Sequence, residues 1–358
     1  VSAGRRNILV NGSMQISQRA TQVTGQNSTG YKTCDRWRLN ISSLGTWTID
    51  QSTDAPPGFA NSLKVTCTSA DASPASTDNM IVQQRIEGKD LQCLAWGTGS
   101  AKDFTISFYV KSSRVGNASF AILNNDNSNQ MVSFPYSITK QDTWEYKTIT
   151  VPAYPSGTFD NDNARSMQLE WWLNSGPHYT GAGSHQTTWA SLSQTHRNAH
   201  NLAIGREVND TWQLAGVQME IGRNATEFEH RSFSEELALC QRYYCKSYNP
   251  ERSPGAGTSD GLQVIRNYDP SNSRSDHPAG VQFPVTMRDV PNITLYSQNG
   301  TANRYTVGNT TAGSYVNQGG TISNILLKGT GSIGAISFST TVPNAAFAYF
   351  HFTAESEL

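Results

Sequence analysis

Lys102–Lys111 reads KDFTISFYVK. Phe104, Ile106, Phe108 and Val110 fall on one side of an extended chain, and Thr105, Ser107 and Tyr109 on the other, because successive strand side chains point to opposite faces. Three more runs repeat the pattern: Asn117–Leu123 (NASFAIL), Trp144–Val151 (WEYKTITV) and Met167–Leu173 (MQLEWWL). In the last, Met167, Leu169, Trp171 and Leu173 share one face, and Gln168, Glu170 and Trp172 the other. Polar turns rich in Asn, Asp, Gly and Ser separate these runs, among them Asn124–Asn129 and Ser175–Ser184. Strands of about five to eight residues joined by such turns predict an all-β fold, a β-sandwich or jelly roll.

One segment departs from the alternation. Ser232–Tyr244 (SFSEELALCQRYY) places Phe233, Leu237, Cys240 and Tyr244 on one helical stripe, with Ser232 or Ser234 as the start signal and Glu235 and Glu236 in the first turn. Asn249–Asp260 (NPERSPGAGTSD) has the composition of a linker. Alternation resumes beyond it, with strands expected over Ala279–Met287, Asn292–Ser297, Thr321–Lys328, Ala335–Thr341 and Ala346–Ala354. The expected organisation is a jelly roll over 1–230, a connecting helix and linker over 231–260, and a smaller C-terminal β domain over 261–358. Gly216 and Gly222 bracket a short strand expected to close the jelly roll and deliver the chain to the helix.

Charged residues make up 15% of the chain, against roughly 25% in ordinary soluble proteins. The 36% of hydrophobic residues still suffices for packed cores. A net charge of −1 and the lack of a Lys/Arg run argue against a nucleic-acid partner. No apolar run approaches the roughly 18 residues that span a bilayer. The opening Val1-Ser2-Ala3-Gly4-Arg5-Arg6 lacks the apolar region of a secretory signal and reads as a processed product or a piece of something longer. Five cysteines (34, 67, 93, 240 and 245) at irregular spacing suggest buried reduced thiols and synthesis in a reducing cytosol.

Asn7–Arg19 (NILVNGSMQISQR), followed by Asp35-Arg36-Trp37, resembles the opening of many phage tail-fibre and virion-surface proteins. The likeness continues through Gly216–Gly222 (GVQMEIG), Ala225–Glu229 (ATEFE) and Leu239–Tyr244 (LCQRYY), which resemble the end of carbohydrate-binding-module-like jelly rolls in phage fibres. Phe283–Arg288 and Pro291 fit the small β domain that often follows. The resemblance implies a virion structural protein made in the host cytoplasm. Its first implication is a tail-fibre-type receptor-binding protein, a homotrimer that joins other phage structural proteins and attaches to host-surface polysaccharide. A capsid decoration, cement or head-fibre protein and a glycan-degrading virion enzyme remain alternatives, because one fold hosts many functions.

Jelly rolls bind sugars by stacking pyranose rings on exposed aromatics. Alternation places Trp172 and Tyr109 on outward faces, with Gln168 and Glu170 beside Trp172 as hydrogen-bonding partners; these four are the candidate glycan site. Trp47, Trp96 and Trp189 lie in irregular sequence and are further candidates for exposure. Arg242, Tyr243 and Tyr244 are candidate subunit-interface residues, since Arg and Tyr are enriched at interfaces. Asp160 and Asp162 are weak candidates for a structural calcium, short of the pattern of an EF-hand loop. The four histidines between His178 and His200 read as surface-loop residues. Dispersed carboxylates and the lack of nucleophile, zinc and phosphate-loop motifs predict a non-enzyme without a required cofactor.

Overall fold

The structure, a computed structural model, describes residues 5–266, 274–309, 315–316, 321–342 and 346–358. The chain is nearly all β and divides into two compact units. Val1–Ser17, Thr21–Phe233 and Leu358 form the first, and Gln18–Ala20 with Ser234–Glu357 the second.

The first unit is built from β1 (Gln22–Gln26), β2 (Gly30–Tyr31), β3 (Arg38–Ser42), β4 (Thr46–Ser52), β5 (Ser62–Ser69), β6 (Asn79–Glu87), β7 (Phe104–Ser112), β8 (Gly116–Asn124), β9 (Gln130–Ile138), β10 (Glu145–Val151), β11 (Arg165–Ser175), β12 (Ala190–Ser191) and β13 (Thr211–Ile221). They make two antiparallel sheets, one ordered β1-β4-β5-β13-β7-β10 and the other β12-β9-β8-β11-β6-β3-β2. From β3 onward the chain crosses repeatedly between the sheets, the winding of a jelly roll. Short helices α1 (Gly88–Leu91) and α2 (Pro177–Thr180) lie in connections.

The alternating runs deliver the core as expected. Phe104, Ile106, Phe108 and Val110 from β7 meet Met167, Leu169, Trp171 and Leu173 from β11, all fully buried. Trp171 sits at the centre, its ring 4.7 Å from Phe120, 5.5 Å from Trp37 and 5.7 Å from Phe108 between centroids. β6 was not anticipated, because nearly all of its residues are buried and its sequence (NMIVQQRIE) shows no simple alternation.

β13 is longer than the sequence suggested and lies inside its sheet, between β5 and β7, rather than closing it. Its pairing with β5 ends at Leu214↔Leu63. The N-terminal arm takes over from there: Ile8 N donates to Met219 O and Val217 N to Gly12 O, each at 2.9 Å. Asn7 adds a side-chain clamp, its Nδ2 donating to Val217 O at 3.1 Å and its Oδ1 accepting from Met219 N at 3.0 Å. Asn11 does the same for the following turn, its Nδ2 donating to the carbonyls of Ile16 and Asp35 while its own carbonyl accepts from Trp37 Nε1. The Asn-rich opening and the Asp-Arg-Trp triplet are thus a backbone-satisfaction device, since buried amides and carbonyls must be paired.

In the second unit, the ten-residue β22 (Ala346–Glu355) is the organising strand. It pairs with β14 (Tyr244–Lys246) and β17 (Asn292–Tyr296) along one half, and with β15 (Gln263–Arg266) and β18 (Thr306–Asn309) along the other. β18 also pairs with β19 (Tyr315–Val316), and β16 (Arg274–Gln282), β20 (Ile322–Lys328) and β21 (Ser332–Val342) form a separate three-stranded sheet. Phe350 and Phe352 pack with Met287, Leu295, Tyr305, Ile333 and Ile336 in its core.

Several expectations change here. The helix, α3, spans Phe233–Gln241, and its buried positions are Glu236 and Cys240; Phe233 is half exposed, and Tyr244 has already entered β14. The segment 249–260 is bonded into the second unit, with Thr258 N donating to Gln298 O at 3.0 Å and Thr258 O facing His351 Nε2 at 3.1 Å. The unit boundary therefore falls at 233/234, and the 231–260 stretch read as a connector lies largely within the second unit. Tyr243 and Tyr244, proposed for a subunit interface, are 2% and 4% exposed. Arg19 lies 3.8 Å over the Tyr244 ring, and the Tyr243 and Arg242 carbonyls accept from Ser356 N and Arg288 N. Internal packing accounts for Tyr243 and Tyr244, and the Arg242 carbonyl is paired with Arg288 N. Four cysteines are buried as expected, but Cys93 is exposed.

Gly12 is the tightest point of the arm: a Cβ there would lie 2.0 Å from Val217 O. Gly12→Ala is expected to cost roughly 1–3 kcal/mol, the range for forced overpacking, read as a lower urea midpoint. An unchanged midpoint contradicts the clamp.

Candidate functional site

Each face of the sandwich has an outward side, and the two differ. On the β11 sheet, Glu170 is fully buried. It accepts from Gln83 Nε2 (3.1 Å), Gln168 Nε2 (2.5 Å), Trp172 Nε1 (3.1 Å) and twice from Arg197, at 2.5 and 3.1 Å. Gln168 in turn accepts from Arg85 and Arg165, both at 3.0 Å. Trp172 is fully buried beneath Tyr179 and Arg197, 4.9 Å from each. The cover is the segment 176–204, whose His196 and His200 carbonyls accept from Ser133 Oγ and Ser119 Oγ. Trp172, Gln168 and Glu170 are therefore a closed polar network and not a sugar platform. Alternation told correctly that they leave the core; it could not tell that a later segment lies over them.

The three other candidate tryptophans are likewise occupied. Trp47 and Trp96 are buried, donating to Leu44 O and Lys102 O. Trp189 is partly buried, stacked on Tyr154 with centroids 5.4 Å apart and donating to Pro152 O. Asp160 and Asp162 belong to a turn: Asp160 N donates to Asp126 Oδ2 at 3.0 Å, and Ala164 N to Asp162 Oδ1 at 2.9 Å. Among the described residues no group of three or more His, Cys, Asp or Glu could hold a metal ion. No helix of the described residues is long and apolar enough to cross a membrane.

Tyr109 stands on the opposite sheet, half-buried, with part of its ring facing out. It lines a groove of about 670 Å3 together with Pro57, Gly58, Phe59, Ser107, Tyr146, Gly216, Ala225, Thr226, Glu227, Phe228 and His230. Three structural devices shape it. First, the register sets Tyr146 of β10 directly across from Tyr109 of β7, ring centroids 4.9 Å apart. The WEYKTITV alternation carried that signal, with Trp144 and Tyr146 on one face.

Second, β13 bulges between Ala215 and Gln218, and Gly216 adopts φ +58°. A Cβ there would stand 2.6 Å from the Phe59 ring and 3.0 Å from Tyr109, so glycine is what lets these rings meet at 5.7 Å. Phe59 rides on the loop between β4 and β5, which had no sequence signal for such a role. Asp54 pins that loop, accepting from Lys111 Nζ (2.8 Å), Gln213 Nε2 (3.1 Å) and Trp144 Nε1 (3.3 Å). Partial burial works against the ionised form, yet these three donors and the Lys111 charge hold the Asp54 carboxyl below the usual carboxylate range.

Third, the return segment 225–230 forms the far wall. Glu220 accepts from Thr226 N at 2.8 Å and Thr226 Oγ1 at 2.7 Å, and Gln218 accepts from Glu229 N at 2.8 Å. Phe228 and His230 then reach Phe59 at 4.9 and 5.2 Å. The GVQMEIG and ATEFE motifs are thus two halves of one support, with Phe228 on the wall.

The result is a cleft with aromatic rings on floor and walls and with Ser107, Thr226, Glu227 and His230 as scattered polar groups. Among the lining residues Glu227 is the lone carboxylate. A glycosidase-type pair of facing carboxylates is not formed by this lining.

No protein-family profile matches the chain, and no curated protein matches it in sequence. Solved structures similar to it include a phage tailspike and carbohydrate-binding modules. The enzymatically active domain of tailspike protein 4 from bacteriophage CBA120 aligns at 12% identity and TM-score 0.31, over 60% of this chain and 21% of that one. The chain therefore spans about a fifth of the tailspike structure. The family 11 module of a Clostridium thermocellum cellulosomal cellulase aligns at 12% identity and TM-score 0.28, over 63% and 99% of the two chains. The CBM22-1 xylan-binding domain from Paenibacillus barcinonensis gives 10%, 0.28, and 62% and 100%.

Two outcomes follow for the covered face. Glu170→Ala strands the Arg197 guanidinium in a buried site and is expected to cost about 3–5 kcal/mol, as when one partner of a buried pair is removed; a loss below about 1 kcal/mol contradicts a closed network. His185, within hydrogen-bond reach of Ser119 Oγ at 3.0 Å, has its pKa depressed from 6.5 to about 4, by burial first and then by the His200 and His196 charges. The folded state thus holds this ring neutral where the unfolded chain protonates it. Stability is full above the unfolded pKa and falls as the pH drops from 6.5 towards 4. Urea titrations should show that slope, flattened in His185→Gln; identical slopes in both proteins contradict it.

Proposed function

We propose that this chain is a non-enzymatic glycan-binding protein of a phage particle, of the tail-fibre receptor-binding type, which holds host-surface polysaccharide in the Tyr109 groove. The observation that carries the reading is the groove itself. Phe59, Tyr109, Tyr146 and Phe228 offer apolar ring surface beside hydroxyl and carboxylate groups, which suits a pyranose with its C–H faces and equatorial hydroxyls. Binding rather than cleavage is supported by the single carboxylate in the lining. The placement on a virion, and assembly as a homotrimer with other phage structural proteins, are supported by the resemblance of the Asn7–Arg19 and Gly216–Tyr244 motifs to phage fibre sequences.

Affinity electrophoresis through gels of host-surface polysaccharide tests the reading. The protein should be retarded, and Tyr109→Ala should weaken retention by roughly tenfold or more, a loss of about 1.4 kcal/mol or more for one stacking anchor. Equal retention of the two proteins contradicts the site, and shortening of the polysaccharide on incubation contradicts a purely binding role.

A further inference from the structure

We infer that the first unit carries an oxyanion site apart from the groove, a seat for a phosphate or sulfate group formed by Arg38, Arg85 and Arg165. The three residues come from β3, β6 and β11, neighbouring strands of the sheet opposite Tyr109, so the site does not rest on the glycan reading. Their side chains converge on two glutamines. Gln168 Oε1 accepts from Arg85 Nε and Arg165 Nη1, each at 3.0 Å, which sets these two guanidinium groups side by side. Gln83, across the β3–β6 ladder from Arg38, accepts from Arg38 Nη1 at 2.5 Å. All three arginines are partly exposed, as is Tyr31, which faces Arg38 from β2.

This positive charge is not balanced from within the protein. Among the described residues, none of the three arginines forms an ion pair with an aspartate or glutamate. Glu170, the carboxylate of the same network, is buried and already bonded to Arg197, Gln83, Gln168 and Trp172. Arg85 Nη1 donates to Leu358 O at 2.5 Å, and Tyr31 Oη to the same oxygen at 3.1 Å. Counted as a full carboxylate, that group would offset one positive charge of three. The arginines feel one another: the Arg85 pKa is pushed down to about 10, by partial burial first and then by the Arg38 charge, with Arg165 acting in the same direction. All three remain cationic at neutral pH. A guanidinium presents several N–H donors in a planar fork, and Arg38 and Arg165 each spend one on the protein while Arg85 spends two. The remaining donors suit a tetrahedral oxyanion, whose oxygens can be shared among three forks and whose charge relieves their repulsion.

Titration calorimetry of the full chain at about 0.15 M salt tests the site, with inorganic phosphate, inorganic sulfate and glucose 6-phosphate as probes and glucose as the uncharged control. Saturable binding of at least one oxyanion and none of glucose is expected. Arg38→Gln and Arg165→Gln should each weaken it by roughly tenfold or more, the worth of one hydrogen bond to a charged group. Arg38→Lys, which keeps the charge and loses the fork, should fall between. Millimolar phosphate should also raise the urea midpoint of the unsubstituted chain at constant ionic strength, a readout independent of how the variants fold. Tighter binding of glucose 6-phosphate than of inorganic phosphate assigns the group to a sugar ester, and the reverse order to a free ion. No saturable binding of any oxyanion, or binding unchanged in both glutamine variants, overturns the site.

Discussion

The first unit depends on how the second half of β13 is hydrogen-bonded. This strand is internal, so its amides and carbonyls must be paired on both edges, yet β5 leaves it after Leu214. The N-terminal arm fills the vacant edge through Ile8, Gly12 and the Asn7 carboxamide. That requirement explains why Gly12 tolerates no Cβ, and why Arg231 reaches back to the carbonyls of Leu9 and Asn7. At the point where partners change, Gly216 bulges, and the room it leaves is occupied by Phe59 against Tyr109. A rule about backbone pairing thus builds the floor of the groove.

The same strand supports the wall. Gln218 and Glu220 point away from the core and are nonetheless nearly buried, because they are spent holding the return segment that carries Phe228 and His230. Motifs separated in the sequence, the arm, the β13 run and the ATEFE segment, are one structural assembly. Tyr109 and Tyr146 come from the neighbouring pair of strands, fixed by simple register.

What the sequence made legible follows from what alternation encodes. It gave the core faces of β7 and β11 residue by residue, and with them the sandwich. It did not show β6, whose two faces are both buried, nor the length of β13. It placed Trp172 and Tyr109 on outward faces correctly and could not rank them, because exposure there depends on distant chain: segment 176–204 lies over Trp172, while the loop at Phe59 stands beside Tyr109 and leaves it half-buried in the lining of a groove. Glu170 marks the difference. An outward carboxylate with five donors around it is a fastening, and those donors come from Gln83, Gln168, Trp172 and Arg197, whose convergence no local pattern carries. In the second unit, Tyr243 and Tyr244 had the composition of an interface but serve as internal packing next to β22.

The sandwich therefore has one face closed by its own polypeptide and one that presents an aromatic cleft. A crystal structure of the protein with an oligosaccharide is the most direct test of that asymmetry. The account predicts a sugar ring in the cleft, against Tyr109 and between Phe59 and Tyr146, with the segment over Trp172 undisturbed. A sugar bound on the Trp172 face, with that segment displaced and the cleft empty, would contradict it.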